Sequence, residues 1–197
     1  MTRLGYQIPN FTYPGVAPED LYATITAQAR EAEASGFDTV LVMDHFFQLP
    51  MLGPPTNEMI ECYVLLSALA QETSKVRLSA LVTGNTYRNP AVLAKTVTAL
   101  DVVSGGRAQL GIGSGWFQLE HDAFGIEFGT FTDRFEKLEE ALQIIVPMLR
   151  GEKANLQELL QSDYLEAETA TSRGSELLQQ VLIEDQLLLR LANGIER

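Results

Sequence analysis

Four apolar, strand-like runs begin near Leu4, Asp38, Val76 and Arg107, spaced 34, 38 and 31 residues apart. That spacing is the length of a β-loop-α-loop unit. The stretches between the runs carry helical signals. Pro18-Glu19-Asp20 opens the first helix, with acids in the turn where the helix dipole favours them, and Gly36 closes it. A second helix is predicted over Glu58–Thr73. A third runs from Pro90 to Ser104 and is followed by Gly105-Gly106. A fourth runs from Thr132 to Leu149 with a start signal in Thr132-Asp133, and Pro147 should kink or end it.

Alternating strands and helices predict a parallel α/β sheet with right-handed crossovers. A doubly wound sheet and a (β/α)8 barrel both fit this beat. A dinucleotide-binding fold would want a glycine loop after the first strand. Here Leu4–Asn10 runs instead into Phe11-Thr12-Tyr13-Pro14-Gly15.

After Gly151 the texture changes. Residues 152–197 hold nine acids against four bases and are rich in Leu, Gln and Glu. Helices are predicted over Leu156–Leu165 and Ser175–Ala192, joined by a Thr/Ser/Gly connector, and Val181-Leu182-Ile183 is the one strand candidate. The sequence therefore reads as two parts, 1–153 with the strand-helix beat and 154–197 as a divergent, mainly helical tail.

Composition narrows the partners. The net charge of −12 argues against nucleic acid and anionic membrane surfaces. No apolar run approaches a membrane span, and the first residues lack a signal-peptide core. One cysteine, Cys62, excludes an internal disulfide and suits a reducing, cytoplasmic setting. Two histidines 76 residues apart form no metal motif, so no metal is expected.

Chemistry in parallel α/β folds collects where strands end. The second strand, Thr39–Met43, ends in Asp44-His45-Phe46-Phe47. This titratable pair is a candidate site; the plainer alternative makes Asp44 a cap and His45 a structural histidine. The third strand ends in Thr83-Gly84-Asn85-Thr86-Tyr87-Arg88-Asn89-Pro90. Small and amide residues there suit a flat ligand, and Arg88 suits an anion; a polar loop that caps the next helix explains them equally. The fourth strand carries Gly111, Gly113 and Gly115, which suit a strand that passes under an aromatic ring system. Glu120 and His121 follow on a short helix, either as an acid-base pair or as a solvated face.

Together, MDHFFQLP, ALVTGNTYRNPAVLAK and LDVVSGGRAQLGIGSGWFQLEHDAFGI resemble the luciferase-like monooxygenase superfamily. They look most like its branch of oxidoreductases dependent on coenzyme F-420, a deazaflavin. The likeness covers about residues 1–153. It implies a (β/α)8 TIM-type barrel, of which about four N-terminal units are present here, with the cofactor ring over the C-terminal strand ends. Asp44 and His45 match the family's Asp-His beside the reactive ring. Leu81-Val82 matches the site of a non-prolyl cis peptide that backs the ring. Thr83, Asn85, Thr86 and Arg88 fall where a loop borders the cofactor, and Gly113, Ser114 and Gly115 match the edge beneath it. Where the sugar-phosphate dehydrogenase branch has a catalytic Glu directly after that edge, this chain has Trp116.

The resemblance further implies hydride transfer between F-420 and a small organic substrate. His45 is expected as the acid-base residue, with Asp44 orienting it or contacting the cofactor. FMN is the alternative cofactor, and an inactive half-barrel that serves as an assembly module is the alternative role. Strands five to eight, which help to hold the cofactor phosphate in the family, are not recognisable in 154–197, so a truncated, frame-shifted or divergent product is expected. Open barrel edges would need the tail or a second copy to cover them. The isolated monomer is expected to bind either cofactor weakly or not at all, since a charge of −12 repels an anion.

Overall fold

A computed structural model describes residues 3–151 and 182–183. Strand β1 spans Gly5–Ile8, followed by a 3-10 turn at Pro18–Asp20 and helix α1, Leu21–Ala34. Then come β2 (Thr39–Val42), α2 (Cys62–Glu72), β3 (Arg77–Ala80), β4 (Thr83–Gly84) and α3 (Pro90–Ser104). The chain continues through β5 (Ala108–Gln109), β6 (Gly111–Gly113), α4 (Gln118–Phe124), α5 (Phe131–Leu149) and β7 (Leu182–Ile183).

All strand pairs among the described residues are parallel. One ladder runs β1-β2-β3-β5 and the second runs β4-β6-β7. Order in space is order in sequence, with no reversal of winding. That is the progression of a (β/α)8 barrel and not of a doubly wound sheet. The register aligns Ile8 with Val42 and Val42 with Ala80, so the three strands end at one level. Neighbouring helices α1, α2, α3 and α5 pack in succession over the sheet. Val40, Val42, Leu78, Ala108 and Leu110 join Ile25, Leu66, Leu69, Leu93, Val97 and Ile145 in one core. Strands covered in this way read as continuous apolar runs.

Several elements differ from the pattern-based boundaries, each for a local reason. Strand β1 stops at Ile8, because Pro9 cannot donate to a ladder and Asn10 turns the chain by accepting the Thr12 amide at 3.0 Å. The second helix starts at Cys62, four residues late, with the Glu61 carboxylate taking the Val64 amide as its cap. Helix α5 starts at Phe131, because Thr130 and Asp133 form a capping box. Pro147 lies in its last turn, and the helix ends two residues later. The third helix matches its predicted span, with Asn89 as cap, Pro90 at its first position and Gly105 in the left-handed conformation after it.

The third and fourth runs are each split. Leu81-Val82 separates β3 from β4, and Leu110 separates β5 from β6. A further parallel strand follows: Leu182 and Ile183 pair with Gly111 and Ile112. The sequence reading ended the beat at four units with this run as its only later strand candidate. The predicted tail helices lie outside the described residues.

Candidate active site

The level ends of β2, β4 and β6 open on a cavity of about 450 Å³. Asp44, His45, Leu81, Val82, Thr83, Gly113, Ser114 and Gly115 all line it. Parallel strands in one register deliver their C-terminal residues to the same side, so the predicted positions meet here. Gly113, Ser114 and Gly115 carry nothing larger than a hydroxymethyl group, which leaves a low floor beside the Leu81-Val82 peptide. That peptide is cis, as the resemblance implied. Gly115 adopts φ +82°, and a Cβ there would lie 2.7 Å from Thr86 Oγ1. Gly111 has another reason: a Cβ would lie 2.5 Å from the Ala80 carbonyl oxygen. A floor of this kind fits a flat ring system.

Asp44 is 2 % exposed and fully engaged. Its carboxylate accepts the Gly84 amide at 2.9 Å and a two-pronged contact from Arg88 at 2.6 and 2.8 Å. Arg88 also donates to Glu61 at 2.6 Å and lies over the Tyr63 ring. Burial alone would lower the guanidinium pKa, but the bonds to Asp44 and Glu61 outweigh it and push it up. Arg88 and Asn85 are outside the cavity lining. The anion that meets Arg88 is therefore Asp44. Asn85 is buried, with its Oδ1 unpartnered among the described residues. Thr83 is buried and shares a 2.7 Å hydrogen bond with the Tyr63 hydroxyl.

His45 is oriented by Glu120 and not by Asp44. Its Nδ1 lies 2.9 Å from Glu120 Oε2. The ring meets Trp116 and Phe117 edge-on, each at 5.7 Å. Glu120 is completely buried, so the solvated-face reading of this short helix does not hold. Its carboxylate accepts the amides of Phe46 and Phe47, the latter at 2.8 Å, and the Tyr87 hydroxyl. Burial pushes Glu120 up, and hydrogen bonds from His45, Tyr87 and the Phe47 amide together hold it below the usual carboxylate range. Burial, then Glu120, push the Tyr87 phenol up.

His121 does not pair with Glu120. It is buried, with Nδ1 3.0 Å from the Phe117 carbonyl and Nε2 2.7 Å from Thr86 Oγ1. Both ring nitrogens are occupied by structural partners, and this removes it as the base of an acid-base pair.

Arg134, on α5, is a charged wall residue that side-chain pattern does not mark as part of the site. It lines the cavity, donates to the carbonyls of Gly115 and Gly129, and stacks on Phe128 at 3.9 Å. Its helical spacing marks only an inward-facing position; nothing local marks the carbonyls that it reaches. Among the described residues no cluster of three or more His, Cys, Asp or Glu could hold a metal ion. No described helix is long and apolar enough to cross a membrane.

Residues 2–163 match the luciferase-like monooxygenase family. The chain belongs to that family. It is 30 % identical over 167 residues to an F420-dependent glucose-6-phosphate dehydrogenase of Amycolatopsis mediterranei, which covers 84 % of this chain and 46 % of the relative. In structure it is similar to the coenzyme F420 dependent tetrahydromethanopterin reductase of Methanopyrus kandleri, with TM-score 0.72, 20 % identity, and 96 % of this chain and 52 % of that one covered. It is also similar to the oxygenating constituent of 3,6-diketocamphane monooxygenase of Pseudomonas putida, solved in complex with FMN, with TM-score 0.66, 20 % identity, and 87 % and 49 % covered. These structural likenesses establish the fold. The chain spans about half the length of the family members it matches.

Proposed function

We propose that this chain is the N-terminal half of a luciferase-like oxidoreductase barrel that serves hydride transfer between coenzyme F-420 and a small organic substrate. The observation that carries the reading is the cavity at the strand ends, where a low floor lies beside a histidine with one nitrogen uncommitted. Leu81, Val82, Gly113, Ser114 and Gly115 would lie under the ring. The deazaflavin, when bound, supplies the hydride chemistry. His45 would give or take the proton that accompanies it at the substrate's heteroatom. Asp44 would act through the backbone, since its carboxylate holds the Gly84 amide and Arg88. Arg134 has an Nη2 with no partner among the described residues to offer an anionic group.

FMN is the second reading, supported by the FMN-bound neighbour. Trp116 replaces the acid that the sugar-phosphate branch carries, so we assign neither that substrate nor that acid here. The division at residue 153 belongs to this proposal; an inactive half-barrel that serves as an assembly module is the reading opposed to it.

Trp116 is the chain's single tryptophan and lies on the cavity wall, so its fluorescence reports binding directly. Titration of the 197-residue chain with F-420 and with FMN is expected to give weak, saturable quenching by F-420. Two missing charge-assisted phosphate contacts at roughly 1.5–3 kcal/mol each would weaken binding by about two to four orders of magnitude relative to a barrel that has them. Saturation by FMN alone would move the assignment to the second reading. No saturable quenching by either, at cofactor concentrations high enough to allow for that weakening, would overturn the function and favour the assembly module.

A further inference from the structure

The four groups around Glu120 are unequal. The Phe46 and Phe47 amides can only donate, and both meet Oε1. Oε2 is shared by the Tyr87 hydroxyl and His45 Nδ1. An unprotonated Nδ1 would set two acceptors 2.9 Å apart, one of them a carboxylate with no exposure to solvent. Nδ1 therefore carries the proton, and the carboxylate is the acceptor for all four neighbours. A carboxyl held below its usual range by those donors agrees with this.

The other ring nitrogen is in a different position. Nε2 of His45 has no hydrogen-bond partner among the described residues, and the ring lies on the cavity wall. Trp116 and Phe117, both edge-on, hold the ring plane. We propose that Glu120 is the positioning residue that locks His45 as the Nδ1–H tautomer, so that Nε2 is the nitrogen that exchanges a proton with substrate in the cavity. The identity of the reaction rests on the hydride-transfer reading above; the tautomer does not. In the hydride-transfer reading, the hydride that leaves the substrate's carbon would be taken up by oxidised deazaflavin, while the substrate's heteroatom–H bond breaks and that proton bonds to Nε2. The ring then carries two N–H groups and one positive charge beside the Glu120 carboxylate. In the reverse direction Nε2–H gives the proton back and the ring returns to the same tautomer. A buried carboxylate behind a histidine fixes which nitrogen works in this way in other proton-transfer sites.

The test is a long-range proton–nitrogen correlation spectrum of the full 15N-labelled chain, without cofactor, at a pH where His45 is neutral. The chain has two histidines, so the H45Q spectrum assigns the pair of signals that disappears. The expected result for His45 is Nδ1 at the protonated position and Nε2 at the unprotonated position. The E120Q variant, whose amide can present an N–H to Nδ1, should shift the ring toward the Nε2–H form. Y87F should leave the wild-type tautomer in place, because Tyr87 touches the carboxylate and not the ring. A wild-type ring in the Nε2–H form overturns the proposal even if E120Q does not fold. So does an unchanged tautomer in folded E120Q, or a switch caused by Y87F. The spectrum needs no cofactor, so a failed titration with F-420 and FMN and a failed tautomer assignment are separate results.

Discussion

Asp44 and Glu120 are both buried beside the cavity, at 2 % and 0 % exposure, yet they are held by different kinds of group. Asp44 faces a guanidinium, which is charged at every accessible pH. Glu120 faces an imidazole and a phenol, both of which can change their proton count. The first arrangement cannot respond to chemistry in the cavity. It ties the end of β2 to the start of the loop after β4, through Arg88 and the Gly84 amide, and reaches α2 through Glu61. The second arrangement couples a buried charge to a ring on the cavity wall. One carboxylate thus builds the edge, and the other governs what stands on it.

The largest expected effect breaks the first arrangement. Arg88→Met leaves Asp44 buried without its cation, at an expected cost of about 3–5 kcal/mol in a urea unfolding curve. Asp44→Asn combined with Arg88→Met should recover part of that loss, since neither charge of that pair remains. A single-variant loss below about 1 kcal/mol would mean that water reaches the pair and that the edge is not built on it.

What sequence pattern conveys here is local. The apolar run Thr39–Met43 marks a strand buried on both faces, and parallel pairing then carries Asp44, Thr83 and Ser114 to one cavity without any knowledge of contacts. Asn89-Pro90 and Gly105 mark the ends of α3 to the residue. Pairing across units is not local. Arg88 meets Asp44 over 44 residues and Glu120 meets His45 over 75, and no spacing rule selects those partners from the other charges in the same loops. Of the two roles expected for Asp44, orienting His45 fails for this reason: sequence adjacency suggests a contact that Glu120, on a helix of a later unit, makes instead. The same applies to Arg134, whose acceptors are backbone carbonyls and leave no mark on side-chain pattern.

Glu33 gives an intermediate case, a half-buried carboxylate held chiefly by backbone and hydroxyl donors. From α1 it accepts the amides of Ser74, Lys75 and Val76 and the Ser74 hydroxyl. Burial raises its pKa, and those bonds outweigh the rise and bring it from 4.5 to about 2. A depressed folded pKa stabilises above the unfolded value, and that stability is lost as pH falls toward the folded one. Glu33→Ala should therefore cost about 1–2 kcal/mol at neutral pH. The gap to wild type should stay constant down to the ordinary value of 4.5 and close toward pH about 2. A gap in urea midpoints that is flat across that window would show that Ala acts through helix α1 and not through the charge.

The smallest effect sharpens the second arrangement. Tyr87→Phe keeps the ring that packs on Phe46 at 4.8 Å and His121 at 5.0 Å, and removes only the hydroxyl on Glu120 Oε2. Tyr87 is half-buried and its pKa is pushed up, so the phenol is a standing donor across the neutral range. Loss of one such bond, with water able to reach the rim, should cost about 1 kcal/mol. The pH dependence is more telling than the size. Glu120 would lose one of the bonds that depress it, so its folded pKa rises. Its stabilisation is present above the ordinary value and disappears as pH falls through the folded value, so in Tyr87→Phe the acid loss begins at higher pH. Arg88→Met leaves Glu120's own donors in place and should lower stability without that displacement. Urea midpoints for the three proteins from neutral pH into the acid limb separate the cases. Equal displacement in both variants would mean that the two carboxylates titrate as one unit, and the contrast between a fixed edge and a responsive one would be lost.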